Sequence, residues 1–131
     1  MAITYDGYLI VLFVSDMGRS RDFYENVMGL ECKHADNDAY FQLGPDGLLL
    51  IDGATADDLL SPADVDDDPA RGARSVLAST VEDVDAAYEE LRSRGAEFIR
   101  PPEDRAWGLR CAHFKDPDGN VWEIHTPIGE S

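Results

Sequence analysis

The side chains best suited to chemistry gather toward the end of the chain: Cys111, His113, Glu123 and His125. In an extended strand, residues two apart share a face, so Cys111 pairs with His113 and Glu123 with His125. If their strands are neighbours, His113, Glu123 and His125 converge on one surface. Two imidazoles and a carboxylate could form a non-standard divalent-metal site, which needs three or more convergent donors. The reading preferred over a metal site makes Glu123 and His113 hydrogen-bonded polar groups of a binding cup and His125, near the strand end, a surface histidine. Glu123 or His113 could also serve as a base. Cys111 facing His113 is one way to activate a thiol; a buried, unreactive cysteine is the other reading of the same spacing. The chain has no Gly-rich phosphate loop, no GxSxG elbow and no nucleophile signature beside Cys32 or Cys111. Neither cysteine belongs to a CxxC pair, so both are expected as reduced thiols.

Strands and helices must position these groups. Residues 8–14 are apolar and β-branched or aromatic, which predicts a buried strand. Ser15 and Asp16 offer N-cap oxygens, and Phe23, Tyr24, Val27 and Met28 recur at helical spacing, so a helix is expected over about 17–28 with Gly29 as its stop. Extended runs follow at 30–33, 39–43 and 48–52, the last two joined by a turn at 44–47. The order then repeats: strand 75–80, a helical face of Val84, Ala87, Tyr88 and Leu91, the stop Gly95, and strands around 98–99, 109–115 and 120–126. The sequence Gly29-Leu-Glu31 after the first helix is echoed by Gly95-Ala-Glu97 after the second, which predicts a duplicated βαβββ unit. The expected fold is α+β: modules 1–53 and 75–131 form a curved mixed sheet, helices cover one face, and the concave face is left open as a ligand cup. Residues 54–74, rich in Asp, Ala and Pro, read as an acidic linker or lid. Phe23, Tyr24, Tyr88, Phe98, Phe114 and Trp122 are expected in the helix-facing core, while Trp107 has no periodic reason to be buried.

Composition narrows the function. The 131 residues, 44% apolar, suffice for one or two small cores. With 27 acidic against 11 basic residues, a net charge of −16, and lysine only at 33 and 115, no basic surface is available for nucleic acid. The acidic surface fits general solvation, adaptation to salt, or attraction of a cationic ligand. The longest apolar run, Leu9–Val14, is far short of the roughly 18 to 20 residues that span a bilayer, so no membrane partner is expected. No basic residue precedes Arg19, which leaves cytoplasmic residence as the expectation.

Val14-Ser-Asp-Met17, Phe23-Tyr24 and Gly29-Leu-Glu31, together with Asp116-Pro-Asp-Gly-Asn-Val-Trp-Glu-Ile124, resemble the vicinal-oxygen-chelate superfamily of glyoxalases, extradiol dioxygenases, fosfomycin-resistance enzymes and bleomycin-resistance proteins. One scaffold there carries several chemistries and also plain binding. Metal-dependent members hold a divalent ion with His and Glu from equivalent strands of the two modules. By that resemblance the four ligand positions fall at Leu9, at Val76, near Leu50 and at Glu123, and of these named residues Glu123 alone is a donor. Arg105-Ala-Trp-Gly-Leu-Arg110 before the penultimate strand looks most like the bleomycin-resistance branch. The resemblance therefore implies a non-catalytic homodimer that sequesters an aromatic antibiotic, with no metal and no cofactor. Leu9, Val11, Phe13, Tyr40, Leu50, Trp107, Cys111 and His113 are the expected lining, with Glu123 as a charged or hydrogen-bonding contact. The alternative is an enzyme of the same fold, a lyase, isomerase or oxygenase.

Overall fold

Two compact units divide the chain, Met1–Asp67 and Asp68–Ser131. The computed structural model describes residues 2–3, 8–60 and 75–129, and each unit holds one four-stranded mixed sheet.

The first unit runs β1 (Leu9–Val14), α1 (Met17–Asp22), β2 (Glu31–Ala35), β3 (Ala39–Leu43), β4 (Asp46–Asp52) and α2 (Gly53–Leu59). Its sheet order is β1-β4-β3-β2, with β1 parallel to β4 and the other pairs antiparallel. Asp16 starts α1 by accepting the Arg19 N–H at 3.0 Å. The helix expected to continue unchanged to Met28 instead widens into a π-helical turn, Phe23–Val27, closed by the Met28 N–H on the Phe23 carbonyl at 3.0 Å. That turn sits where two successive aromatics must both be buried. Phe23 and Tyr24 meet edge to face at 5.2 Å, and Tyr24 reaches Phe41 of β3 at 6.0 Å. Leu12, Val14, Phe41, Leu48 and Leu50 are buried on this helix-facing side. Strand alternation puts Leu9, Val11 and Phe13 on the other side, opposite Gly47, Leu49 and Ile51.

Two expectations change here. The β3–β4 turn is tighter than 44–47: Leu43 pairs with Asp46, leaving Gly44 and Pro45 as the loop, with Gly44 at φ +56. Gly47 therefore lies within β4 under the Tyr40 ring, and a Cβ there would stand 2.5 Å from the Tyr40 hydroxyl. The acidic segment, in turn, opens with α2 rather than irregular chain, because Asp52 accepts the Thr55 N–H at 2.8 Å and so caps a helix that buries Ala56. Its larger part, 61–74, lies outside the described residues.

The second unit repeats the plan with β5 (Val76–Thr80), α3 (Val84–Ser93), β6 (Glu97–Asp104), β7 (Leu109–Lys115) and β8 (Val121–Pro127). The order is β5-β8-β7-β6, again with a parallel first pair. This repetition of strand order bears out the tandem βαβββ reading. Asp83 caps α3 through the Ala86 N–H at 3.1 Å, and Gly95 follows it at φ +100. Tyr88 meets Phe98 edge to face at 4.6 Å and Phe98 meets Phe114 at a tilt at 5.1 Å, so α3 covers the face that also buries Trp122 and Ile124. β6 is longer than expected. Irregular pairing between Phe98 and Arg100 and between Arg100 and Glu103 lets this edge strand absorb Pro101 and Pro102. No helix among the described residues is long and apolar enough to cross a membrane.

Candidate functional site

On the face of the second sheet away from α3, β7 and β8 place His113 opposite Glu123 and Cys111 opposite His125, while β5 places Thr80 beside His125. The turn from β7 to β8 fixes this register. The buried Asp116 carboxylate accepts the N–H groups of Asp118 at 3.0 Å and Asn120 at 2.7 Å and the Asn120 side-chain amide at 2.8 Å. Asp116-Pro-Asp-Gly-Asn120 is thus a structural turn, and Gly119 takes φ +86 within it.

Glu123 lies between the two imidazoles. Its Oε1 is 2.8 Å from His113 Nε2 and its Oε2 is 2.6 Å from His125 Nδ1; Thr80 Oγ1 stands 3.0 Å from His125 Nε2. The three side chains are 16%, 17% and 18% exposed for His113, Glu123 and His125. Burial alone would push the Glu123 carboxyl up, but the hydrogen bonds from His125 and His113 outweigh it and hold the group below the ordinary carboxylate value. An ionised carboxylate only accepts, so each imidazole donates to it: Nε2–H from His113, Nδ1–H from His125. His113 Nδ1 is left buried without a partner. Cys111 is buried, and that burial, with the nearby Glu123 charge, pushes its thiol up while Arg105 offsets part of the effect. It is a structural thiol, not an activated nucleophile.

The other residues expected to line a site divide cleanly. Leu9, Val11, Phe13 and Tyr40 share the face of the first sheet away from α1, Tyr40 opposite Leu49. Leu50 does not join them. It pairs with Leu12, faces α1 and has no exposed surface, because its place in the alternation is one step out from Leu49 and Ile51. Trp107 occupies the β6–β7 turn, 69% exposed, with the Arg105 guanidinium 6.0 Å from its ring centre. The six aromatics expected in the core lie on the helix-facing sides. Strand pairing, not local pattern, adds Thr80 to the cluster of His113, Glu123 and His125 that spacing suggests, since Thr80 lies beside His125 only through the parallel β5–β8 register. A separate groove of about 820 Å³ opens at the start of α3, on the helix side. Its Arg110 is already held by Asp85, at 2.9 and 3.2 Å, and by Asp104, at 3.0 Å.

A duplicated βαβββ plan with a polar cluster on the helix-free face defines a glyoxalase-type scaffold. The model for the Glyoxalase/Bleomycin resistance protein/Dioxygenase superfamily matches residues 9–124, and the chain belongs to that superfamily. It is 32% identical over 120 residues to the uncharacterized protein YraH of Bacillus subtilis, spanning 88% of this chain and 94% of that one. A glyoxalase/bleomycin resistance protein/dioxygenase structure from Nocardioides superposes with a TM-score of 0.86 at 26% identity, over 100% of this chain and 89% of that one. A protein of unknown function from Agrobacterium tumefaciens gives 0.72 at 27% identity, over 95% and 94%. The superfamily includes enzymes and binding proteins alike.

The superfamily's metal site does not fit these residues. Leu9 and Val76 offer hydrocarbon where a donor is needed, and Leu50 faces the core. Among the described residues no group of three His, Cys, Asp or Glu is disposed to hold a metal ion: His113 and His125 turn their nearer nitrogens toward Glu123, and both of its oxygens accept from them.

Proposed function

We propose that the protein binds and sequesters an aromatic natural product of the bleomycin, mitomycin or enediyne kind, acting as a cytoplasmic homodimer and conferring resistance by retention rather than turnover. The observation that carries this reading is the donor set: aliphatic residues where the superfamily chelates a metal, and a carboxylate engaged by two imidazoles. Leu9, Val11, Phe13 and Tyr40, on the face of the first sheet away from α1, suit a flat conjugated ligand, and in the second unit the exposed Trp107 indole is a stacking surface of its own. Since Trp122 is buried, Trp107 is the solvent-facing fluorophore. Titration with ester-free aromatic antibiotics is expected to quench it saturably, with the compound recovered unchanged by mass spectrometry. Aromatic stacking contributes roughly 0.5–1.5 kcal/mol, so Trp107→Ala is expected to weaken binding by about 2- to 10-fold. A chemically altered compound on recovery would remove the reading.

One observation favours a second reading, an enzyme with Glu123 or His113 as base: an ionised carboxylate between two imidazoles is an acid–base arrangement. Conversion of a compound by chelator-treated protein, lost in Glu123→Ala, would favour it over retention.

A further inference from the structure

Thr80, His125 and Glu123 are connected in a way that ligand retention does not use. The Glu123 carboxylate accepts the His125 Nδ1 proton, so in the ring's neutral form the lone pair is at Nε2, 3.0 Å from Thr80 Oγ1. The threonine hydroxyl therefore donates to His125. An alcohol bonded to an imidazole nitrogen, with the other nitrogen held by a largely buried carboxylate, is the connectivity of nucleophile, base and orienting group. Three features of the fold build it. The parallel register sets Thr80 beside His125, strand alternation sets Glu123 on the same face, and His113 holds the second carboxylate oxygen at 2.8 Å. Thr80 is exposed whereas Glu123 and His125 are mostly buried, so the hydroxyl is the end that a substrate reaches.

We propose that Thr80 is the nucleophile of an acyl-transfer site for activated carboxylic esters, with His125 as its base and Glu123 and His113 as positioning residues. Thr80 Oγ1 attacks the ester carbonyl carbon as its proton passes to His125 Nε2. The bond from that carbon to the leaving oxygen breaks, His125 returns the proton to the departing alcohol or phenol, and the acyl group stays on Thr80. Water then attacks the acyl carbon, losing a proton to His125, and the carboxylic acid leaves as Thr80 Oγ1 recovers its hydrogen. The sum is ester plus water to acid plus alcohol. This activity stands apart from retention of an ester-free aromatic ligand, and either can fail without the other.

The full-length protein is mixed with p-nitrophenyl acetate, nitrophenolate release is followed, and acid-quenched samples are mapped by peptide mass spectrometry. The expected result is an acetyl group on Thr80, retained in Thr80→Ser and absent from Thr80→Val. Release is expected to be at least about 100-fold slower in His125→Gln, the lower bound for loss of a general base. Thr80→Val is close to isosteric at an exposed site, and circular dichroism confirms that it is folded. A wild type no faster than Thr80→Val, or acetylation confined to Lys33, Lys115 or an imidazole, overturns the proposal.

Discussion

Glu123 concentrates the energetics of the polar cluster in one side chain. Its folded pKa lies below the unfolded value, so the ionised carboxylate stabilises the fold. That contribution is fully present above the unfolded value, about 4.3, and is lost as pH falls through the folded value. Urea unfolding of the wild type is therefore expected to show stability falling on acidification below about pH 4.3, with a shallower fall in Glu123→Gln. At pH 7 the same substitution is expected to cost about 1–3 kcal/mol, because an amide cannot accept from both imidazoles. Much of this residue-scale arrangement was legible from spacing alone: Glu123 and His125 are two apart, and His113 lies on the preceding strand. Thr80 was not. Its partner is 45 residues away in sequence and is reached through parallel pairing, which no local pattern encodes.

Among the elements, capping and turn chemistry decide what hydrophobic period leaves open. Asp16, Asp52 and Asp83 each accept an N–H from the first turn of a helix, and Asp83→Ala is expected to lower stability by about 1 kcal/mol in urea titration. Asp52 also explains why α2 was illegible: the segment has little apolar period, so the cap and one buried alanine define the helix. The misplacement of Leu50 has a similar origin. Residues 48–51 form an apolar run without alternation, and only the pairing of Leu12 with Leu50 shows which face each side chain takes. Gly47 gives a sharper test of the β3–β4 packing. In Gly47→Ala the new methyl meets the Tyr40 ring, with an expected loss of about 1–3 kcal/mol. Combining it with Tyr40→Ala is expected to recover part of that loss, so a double-mutant cycle in urea reads the contact directly.

At the level of the whole molecule, the repeated strand order was legible because helix stops, turn residues and apolar runs recur in the same sequence in both halves. What the net charge of −16 does was not, since composition carries no direction. A salt series separates the possibilities. The screening length falls from about 10 Å at 0.1 M to about 3 Å at 1 M, so a cationic aromatic ligand steered by the acidic surface is expected to bind more weakly across that range. A neutral analogue is expected to hold its affinity. Sedimentation equilibrium is expected to report twice the chain mass, as the proposed homodimer requires.

Each sheet also sets an order of events for a growing chain. The strand made first in a unit finds its parallel neighbour only when the strand made last has appeared, as Leu9 with Gly47 and Val14 with Asp52 illustrate. While β2, β3 and β4 are being added, Leu9–Val14 waits as six apolar residues without a charge or a proline, a composition prone to sticking to other unfinished chains. The local hairpin of β3 and β4 can form early, but it is the late arrival of β1 against β4 that takes this adhesive segment out of circulation.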